Sequence, residues 1–398
     1  MELFLQYGFG MKQMSKDLIS AWGKGTVILS PRDIKPERIE QVGIGLKESN
    51  GKVLLDPQFY LPRSDHQCLT SYDYWPRDYD TQGFSNANRK RMLQSLVALN
   101  NEVGSYALIV PGERAADIDD LWLDSQISLL NAAMDSTDLP LIATICLSSE
   151  AVRSNEQINA LMELLKTQKI YGYYLVFEHP GNLYLVNDPQ WLSNSLDLAA
   201  GLRRQGVEVI MGYSNQQQLI MACAGVTAIS SGTWMNVRSF FPEKFRTTYA
   251  EEIKRRAVWY YCPQALSEYR LSYLDIGARL GLTENLKPVP NSVYAEPLFD
   301  SPQPSASGWS ESLAFKHYLS TLHIQAEKAT LSSFNETYQN QVDLLQTAES
   351  LIHTFRSNAI VGETRDFYEA IDANRAAMLV LAKTHGPLLE RSWGKLVN

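Results

Sequence analysis

The residues of this chain best suited to chemistry lie in short polar clusters, each directly after a brief apolar run. Arg32 and Asp33 follow Thr26–Leu29, Asp56 and Gln58 follow Val53–Leu55, and Glu113 and Arg114 follow Tyr106–Val110. Glu150 follows Leu141–Leu147, Glu178 and His179 follow Tyr171–Phe177, and Tyr213 follows Val209–Met211. Ser231, Gly232 and Thr233 follow Val226–Ile229, with Asn236 and Arg238 just beyond. Carboxylates and imidazoles can act as general acids, bases or nucleophiles, and arginine can grip an oxyanion with paired N–H donors. Asp33, Asp56, Glu178 and His179 are therefore the catalytic candidates. Arg32, Gln58, Glu113, Arg114, Tyr213, Ser231, Gly232, Thr233, Asn236 and Arg238 are the substrate-binding candidates, with the Ser230–Thr233 turn offering backbone N–H groups to an anion. Each has a plainer alternative, since an Asp before Pro, as in Asp56-Pro57, also serves as a turn or cap residue.

Those clusters converge only if the apolar runs are parallel strands. The runs begin near residues 3, 26, 53, 106, 141, 171, 208 and 226 and alternate with helical patterns such as Met11–Trp22, Asn86–Val103 and Asp188–Arg204. Parallel neighbours require crossover helices, and eight such units make a (β/α)8 TIM-type barrel, whose strand ends share one face. A doubly wound open sheet is the competing reading. Its glycine-rich nucleotide turn is poorly matched by Tyr7-Gly8-Phe9-Gly10-Met11, which lacks the third glycine. The expected organisation is a barrel over 1–282, a Pro/Ser-rich linker over 283–308 and an all-helical domain over 309–398. Pro242–Gly281 reads as helical and is expected to supply the eighth barrel helix. The stripe Leu331, Phe334, Tyr338, Val342, Leu345, Ala348, Ile352 and Phe355 recurs every three or four residues, which suits helix packing.

Two stretches invite functional readings of their own. Pro62–Phe84 carries Tyr72, Tyr74, Trp75, Arg77 and Tyr79, too polar for core, and reads as a lid or a flap over the barrel. Arg238–Arg256 interleaves Lys244, Arg246, Lys254, Arg255 and Arg256 with Phe240, Phe241, Phe245 and Tyr249, the composition of a nucleic-acid surface or of a helix with aromatics facing the core. The net charge of −8 argues against nucleic acid binding over the whole surface. Cys68, Cys146, Cys223 and Cys262 are widely spaced and read as reduced, which fits a cytoplasmic protein. No histidine or cysteine pairing has metal-ligand spacing, and no cofactor motif is present, so neither a metal nor a cofactor is expected. No apolar run is long enough to span a membrane, so no membrane partner is expected.

The order of elements from Val207 to Arg238 (strand, Gly212-Tyr213-Ser214, helix, Ala224-Gly225-Val226, strand, polar turn and downstream Arg) resembles the closing units of tRNA-guanine transglycosylase-like barrels. The resemblance covers about 35 residues and the general architecture. It implies nucleobase exchange carried out by strand-end carboxylates, with nucleic acid or a nucleotide as partner. Two features depart from that family. Its clustered zinc-binding cysteines and histidine are missing after the barrel, where only Cys262 stands, and its D-S-G-G-F signature is replaced by Asp56-Pro57-Gln58-Phe59. A second function fits the absence of any complete catalytic motif: a catalytically degenerate barrel that binds nucleic acid or assembles, as a homo-oligomer or with a protein partner, through its C-terminal helices.

Overall fold

The alternation of buried runs and amphipathic segments folds as parallel strands joined by helices. In chain order the elements are β1 (Glu2–Gln6), α1 (Met11–Trp22), β2 (Gly25–Leu29), α2 (Pro36–Glu48), β3 (Gly51–Leu55), α3 (Asn86–Val103), β4 (Leu108–Val110), β5 (Arg114–Ala115), α4 (Asp120–Met134), β6 (Leu141–Leu147), α5 (Ser149–Arg153), α6 (Asn155–Leu165), β7 (Gly172–Phe177), α7 (Pro189–Arg203), β8 (Glu208–Met211) and β9 (Ala228–Ser231). A 3-10 segment, Gln216–Ala224, stands in place of a helix between β8 and β9. This computed structural model describes residues 1–77, 86–166, 168–247 and 257–397. Tyr79, Tyr249, Lys254, Arg255 and Arg256 lie outside the described residues.

Every pairing in the main sheet is parallel, in the order β3-β2-β1-β9-β8-β7-β6-β4. The first strand pairs with the last, Leu3 opposite Ile229, so the sheet curls round on itself. β4 and β5 share one strand position. From Leu108 to Arg114 the chain advances six residues while its partner advances five, from Leu141 to Cys146, which marks a one-residue bulge at Pro111-Gly112-Glu113. Eight strand positions result. The curl is a half-barrel in its ladders, since β3 and β4 are not paired to each other. Two backbone hydrogen bonds cross that gap, from Tyr106 N–H to Val53 O at 3.2 Å and from Arg114 N–H to Tyr60 O at 2.9 Å.

The region after β9 differs from expectation. Pro242–Gly281 is not one helix: a short 3-10 turn at Pro242–Phe245 is followed by an antiparallel hairpin, β10 (Trp259–Cys262) with β11 (Ser267–Arg270), and then α8 (Leu271–Arg279). Aromatic residues favour strands, and the turn Pro263–Ala265 ends on Leu266 in the left-handed region at φ 49°, which no helix accommodates. The 283–308 stretch holds the short helices α9 (Thr283–Leu286) and α10 (Glu296–Phe299), and Leu286, Ala295 and Leu298 are buried. It packs on the protein and is not extended. The C-terminal helices are α11 (Glu311–Ala329), α12 (Phe334–Ser357), α13 (Ile371–Thr384) and α14 (Gly386–Val397). The amphipathic stripe is present in α12, where Phe334, Leu345, Ala348, Ile352 and Phe355 are buried against the chain itself, so that face is already covered. Among the described residues no helix is long and apolar enough to cross a membrane. All four cysteines are free.

A buried ionic knot ties the C-terminal elements to the strand ends. Glu268 on β11 is 3.4 Å from Arg238 and 2.7 Å from Arg365, and it accepts a hydrogen bond from the Tyr184 hydroxyl at 2.9 Å. Arg238 also donates to Gly232 O at 2.8 Å and lies 3.5 Å over the Tyr318 ring. A buried charge stripped of a partner cannot regain water, so such losses are large. Arg365→Met is expected to lower unfolding free energy by about 3 kcal/mol in urea titrations. A loss below about 0.5 kcal/mol, the range of an exposed pair, would show that Arg238 alone neutralises Glu268.

Candidate functional site

Where β3 ends, the chain turns sharply and leaves Asp56 inside the curl with no solvent exposure. Three phenols from three elements surround it. Tyr60 donates to its Oδ2 at 2.7 Å, Tyr213 (after β8) at 3.0 Å, and Tyr174 (β7) at 3.4 Å. The Gln58 N–H donates to Oδ1 at 2.9 Å. The period-2 alternation of β7 aims Tyr174 inward, while Tyr173 points the other way and reaches Leu165 O on α6. Gly212 makes room for this arrangement, because a Cβ there would stand 2.7 Å from the Tyr174 ring.

Gln58 and Tyr213 hold the cluster in register. The Gln58 amide donates to Ser30 Oγ at 2.7 Å and to the Tyr213 hydroxyl at 3.1 Å, and its oxygen accepts the Arg32 N–H at 2.8 Å. Gln6, the last residue of β1, accepts from Tyr174 at 3.1 Å and from Ser230 at 3.0 Å. Both Gln58 (φ 53°) and Tyr213 (φ 50°) sit in the left-handed region, which costs a side-chain-bearing residue about 1–2 kcal/mol. Both residues, from opposite sides of the curl, bond one carboxylate, Gln58 through its backbone N–H and Tyr213 through its hydroxyl. Strain gathered in this way is characteristic of functional sites.

The electrostatics follow from the burial. Desolvation pushes the Asp56 carboxyl up to about 6, against the opposing pull of the Tyr60, Gln58 and Tyr213 hydrogen bonds and of the Lys244 charge. Asp56 can therefore hold or release a proton near neutrality, the property required of a general acid or base. Lys244 is buried above the cluster in the Pro242–Phe245 turn, and its backbone carbonyl accepts from Arg32 Nε at 2.8 Å. Burial also pushes the Lys244 amine well below its ordinary value.

The sequence candidates divide around this centre. Asp56, Gln58 and Tyr213 are brought together at it. Arg32 and Asp33 pair at 3.1 Å on its rim, with Ser30 donating to Asp33 at 2.9 Å. Arg114 and Glu178 form a half-buried pair at 2.5 Å across β5 and β7, one bond from Tyr60 through the Arg114 N–H. Glu113 lies in the β4–β5 bulge, where its carbonyl accepts the Trp122 indole N–H at 2.9 Å. The others are held by the fold. His179 is buried edge-on against Trp191, and its Nδ1 meets Leu183 O at 2.8 Å. Ser231 lies inside β9, Gly232 fits because a Cβ would stand 2.5 Å from Gln6 O, and Thr233 donates to Phe9 O at 3.1 Å. Asn236 O accepts Lys244 Nζ at 2.5 Å, and Arg238 belongs to the Glu268 knot. In the expected anion turn the Thr233 hydroxyl and the Gly232 carbonyl are thus engaged internally.

The two surface readings fare similarly. Tyr72, Tyr74 and Trp75 are buried, so the described part of the 62–84 excursion contributes aromatic core to the molecule. Arg238, Phe240, Lys244 and Phe245 are buried too, which leaves Arg246 as the exposed basic residue of the described part of the patch. Tyr60, Tyr174, Gln6, Ser30 and Lys244 were absent from the candidates. Gln6 shows in the sequence as a polar residue breaking the first apolar run, and Lys244 as one charge of the basic patch. Among the described residues no group of three or more His, Cys, Asp or Glu side chains is placed to hold a metal ion. In comparisons with known proteins, no family model and no curated protein matches the chain.

The titrations have opposite signs. Asp56 ionises at 3.8 when unfolded and about 6 when folded, so it stabilises the fold at low pH and that contribution is lost as pH rises through about 6. His179 and His317 are pushed by burial from 6.5 to about 4, so the unfolded chain binds more protons between these values and stability falls as pH drops through that window. Asp56→Asn removes the opposing contribution. It is expected to steepen the loss of melting temperature between pH 6.5 and 4, and to leave stability at pH 7.5 equal to or above that of the unaltered protein. A lower melting temperature for the variant at pH 7.5 would mark Asp56 as a purely structural carboxylate.

Proposed function

We propose that this chain is an acid–base enzyme of the closed (β/α)8 type, with Asp56 as its reacting carboxylate. The observation that carries the proposal is Asp56 itself, a buried carboxyl raised to about 6 among three phenols and bonded by the Gln58 backbone N–H and the Tyr213 hydroxyl, both from residues in the left-handed region. Its place after a strand agrees with the general rule that barrel chemistry sits where the strands end. The cyclic strand order and the two hydrogen bonds between the β3 and β4 regions support closure of the barrel. The four free cysteines suit a reducing compartment such as the cytoplasm.

For the substrate we propose a nucleobase-containing molecule, processed by base exchange with Asp56 as acid, base or nucleophile. Support comes from Asp56, a carboxyl at a strand end whose raised proton affinity suits acid or base work on such a substrate. A phosphorylated substrate has less support, because Gly232, Thr233 and Arg238 are committed elsewhere. The second reading, a degenerate barrel that binds or assembles, is favoured by one observation: Asp56 has no exposed surface.

Incubating the purified protein with bulk tRNA or DNA and radiolabelled guanine separates the two. Label should enter acid-precipitable nucleic acid with the unaltered protein, and Asp56→Asn should reduce this at least about 100-fold, the scale of a lost acid or base. Absence of incorporation by the unaltered protein would overturn base exchange. Equal incorporation by the variant would remove Asp56 from the chemistry.

A further inference from the structure

Lys244 is a buried cation with no carboxylate partner among the described residues. Its Nζ donates to two backbone carbonyls, Asn236 O at 2.5 Å and Ser239 O at 3.5 Å. The rest of its surroundings is aromatic, with the Tyr213 ring 3.7 Å away and the Phe240, Phe245 and Phe241 rings at 5.1, 5.2 and 5.6 Å. Carbonyl oxygens and ring faces both attract a positive charge, and they offset part of the burial penalty that pushes the amine well below its ordinary value. An ammonium placed in this way costs the fold stability, because nothing repays its lost hydration with an ion pair. What it touches explains its placement: the Tyr213 ring it covers carries the hydroxyl that bonds Asp56 at 3.0 Å.

We infer that Lys244 is a positioning residue that acts through Tyr213, holding that ring against Asp56 and keeping the carboxyl able to ionise. The inference rests on the acid–base reading of Asp56. Without the charge, only the neutral hydrogen bonds of Tyr60, Tyr213 and the Gln58 N–H would favour ionisation of Asp56 against its desolvation. The other charges facing Lys244 are Arg32 and Asp33, which pair with each other, and His179, which burial keeps neutral. Lys244 is thus the cation left to act on the carboxylate. The Arg32 bond to the Lys244 carbonyl fixes the backbone that delivers it.

The test is the titration of Asp56 itself, followed by carbon-13 NMR of the full chain with labelled aspartate carboxyls, the Asp56 signal being identified by its loss in Asp56→Asn. Lys244→Gln keeps a neutral donor for the two carbonyls, and Lys244→Arg keeps the charge. The Gln variant is expected to raise the Asp56 midpoint by about one unit, and the Arg variant to leave it within about 0.3 units. Lys244→Met, whose thioether suits an aromatic cage, should match the Gln variant and serves if that variant does not fold. An unchanged midpoint in both Gln and Met variants, with the unaltered protein titrating near 6, would overturn the role of Lys244 alone. A midpoint near 3.8 in the unaltered protein would overturn the acid–base reading together with it.

Discussion

Much of this structure depends on keeping one carboxylate out of water. Asp56 is enclosed at the strand ends, and the groups that make its burial tolerable come from around the whole curl: Tyr60 from its own loop, Tyr174 from β7 and Tyr213 from beyond β8. Each phenol must be delivered to within hydrogen-bonding distance of the same oxygen. That requirement ties strands distant in sequence to a single register, since a slip of one residue would turn Tyr174 outward and Tyr173 inward. Site and architecture are thus not separable. The left-handed turns at Gln58 and Tyr213 show the backbone yielding to the cluster.

The segment after β9 completes the enclosure. Phe240 and Phe245 stack edge-on or tilted against Tyr60 and Tyr213, and Lys244 enters between them. The same segment begins at Arg238, which the Glu268 knot holds to β11 and to Arg365 near the C-terminal helices. A continuous chain of contacts therefore runs from the helical C-terminal region, through Glu268 and Arg238, to the aromatic cover over Asp56. The helices beyond residue 309 support the site from behind even though none of them supplies a residue in contact with Asp56.

The parts of this arrangement that were legible in the sequence are those governed by local pattern. Buried parallel strands are short unbroken apolar runs, so β6 was read with its exact limits, and α1 and α3 followed from periodicity and flanking residues. Asp56, Gln58 and Tyr213 could be singled out because polar residues just after such runs must lie at one end of the sheet. Tyr174 could not, because within the run Tyr171–Phe177 an inward tyrosine and an outward one look alike. Lys244 reads as part of a basic patch interleaved with aromatics, since sequence shows its charge and its neighbours Phe240, Phe241 and Phe245 but not that they fold around it with Tyr213. The hairpin β10–β11 was missed for a related reason: Trp259-Tyr260-Tyr261 is too short a run to display a period, and the pairing that fixes it is made only with β11. His179 and Arg238 had the right chemistry at plausible positions. Their partners, Trp191 and Glu268, lie far enough along the chain that only the fold reveals them as structural.

Among the described residues two carboxylates are buried, and the two solutions differ. Glu268 is given two arginines and a phenol, and despite complete burial its carboxyl is held below the ordinary value, with desolvation outweighed by Arg365 and Arg238. It is a carboxylate fixed as an anion, suited to holding elements together. Asp56 receives phenols, a backbone N–H and a lysine turned toward carbonyls, and desolvation prevails, leaving it up at about 6. Burial of a stable anion calls for a direct ion pair of the kind Glu268 receives. Arg32 binds Asp33 and the Lys244 carbonyl, and Asp56 keeps a proton affinity that a small change in surroundings can tip either way. The fold thus fixes one buried carboxylate with two arginines at Glu268 and leaves the other, Asp56, with a raised proton affinity.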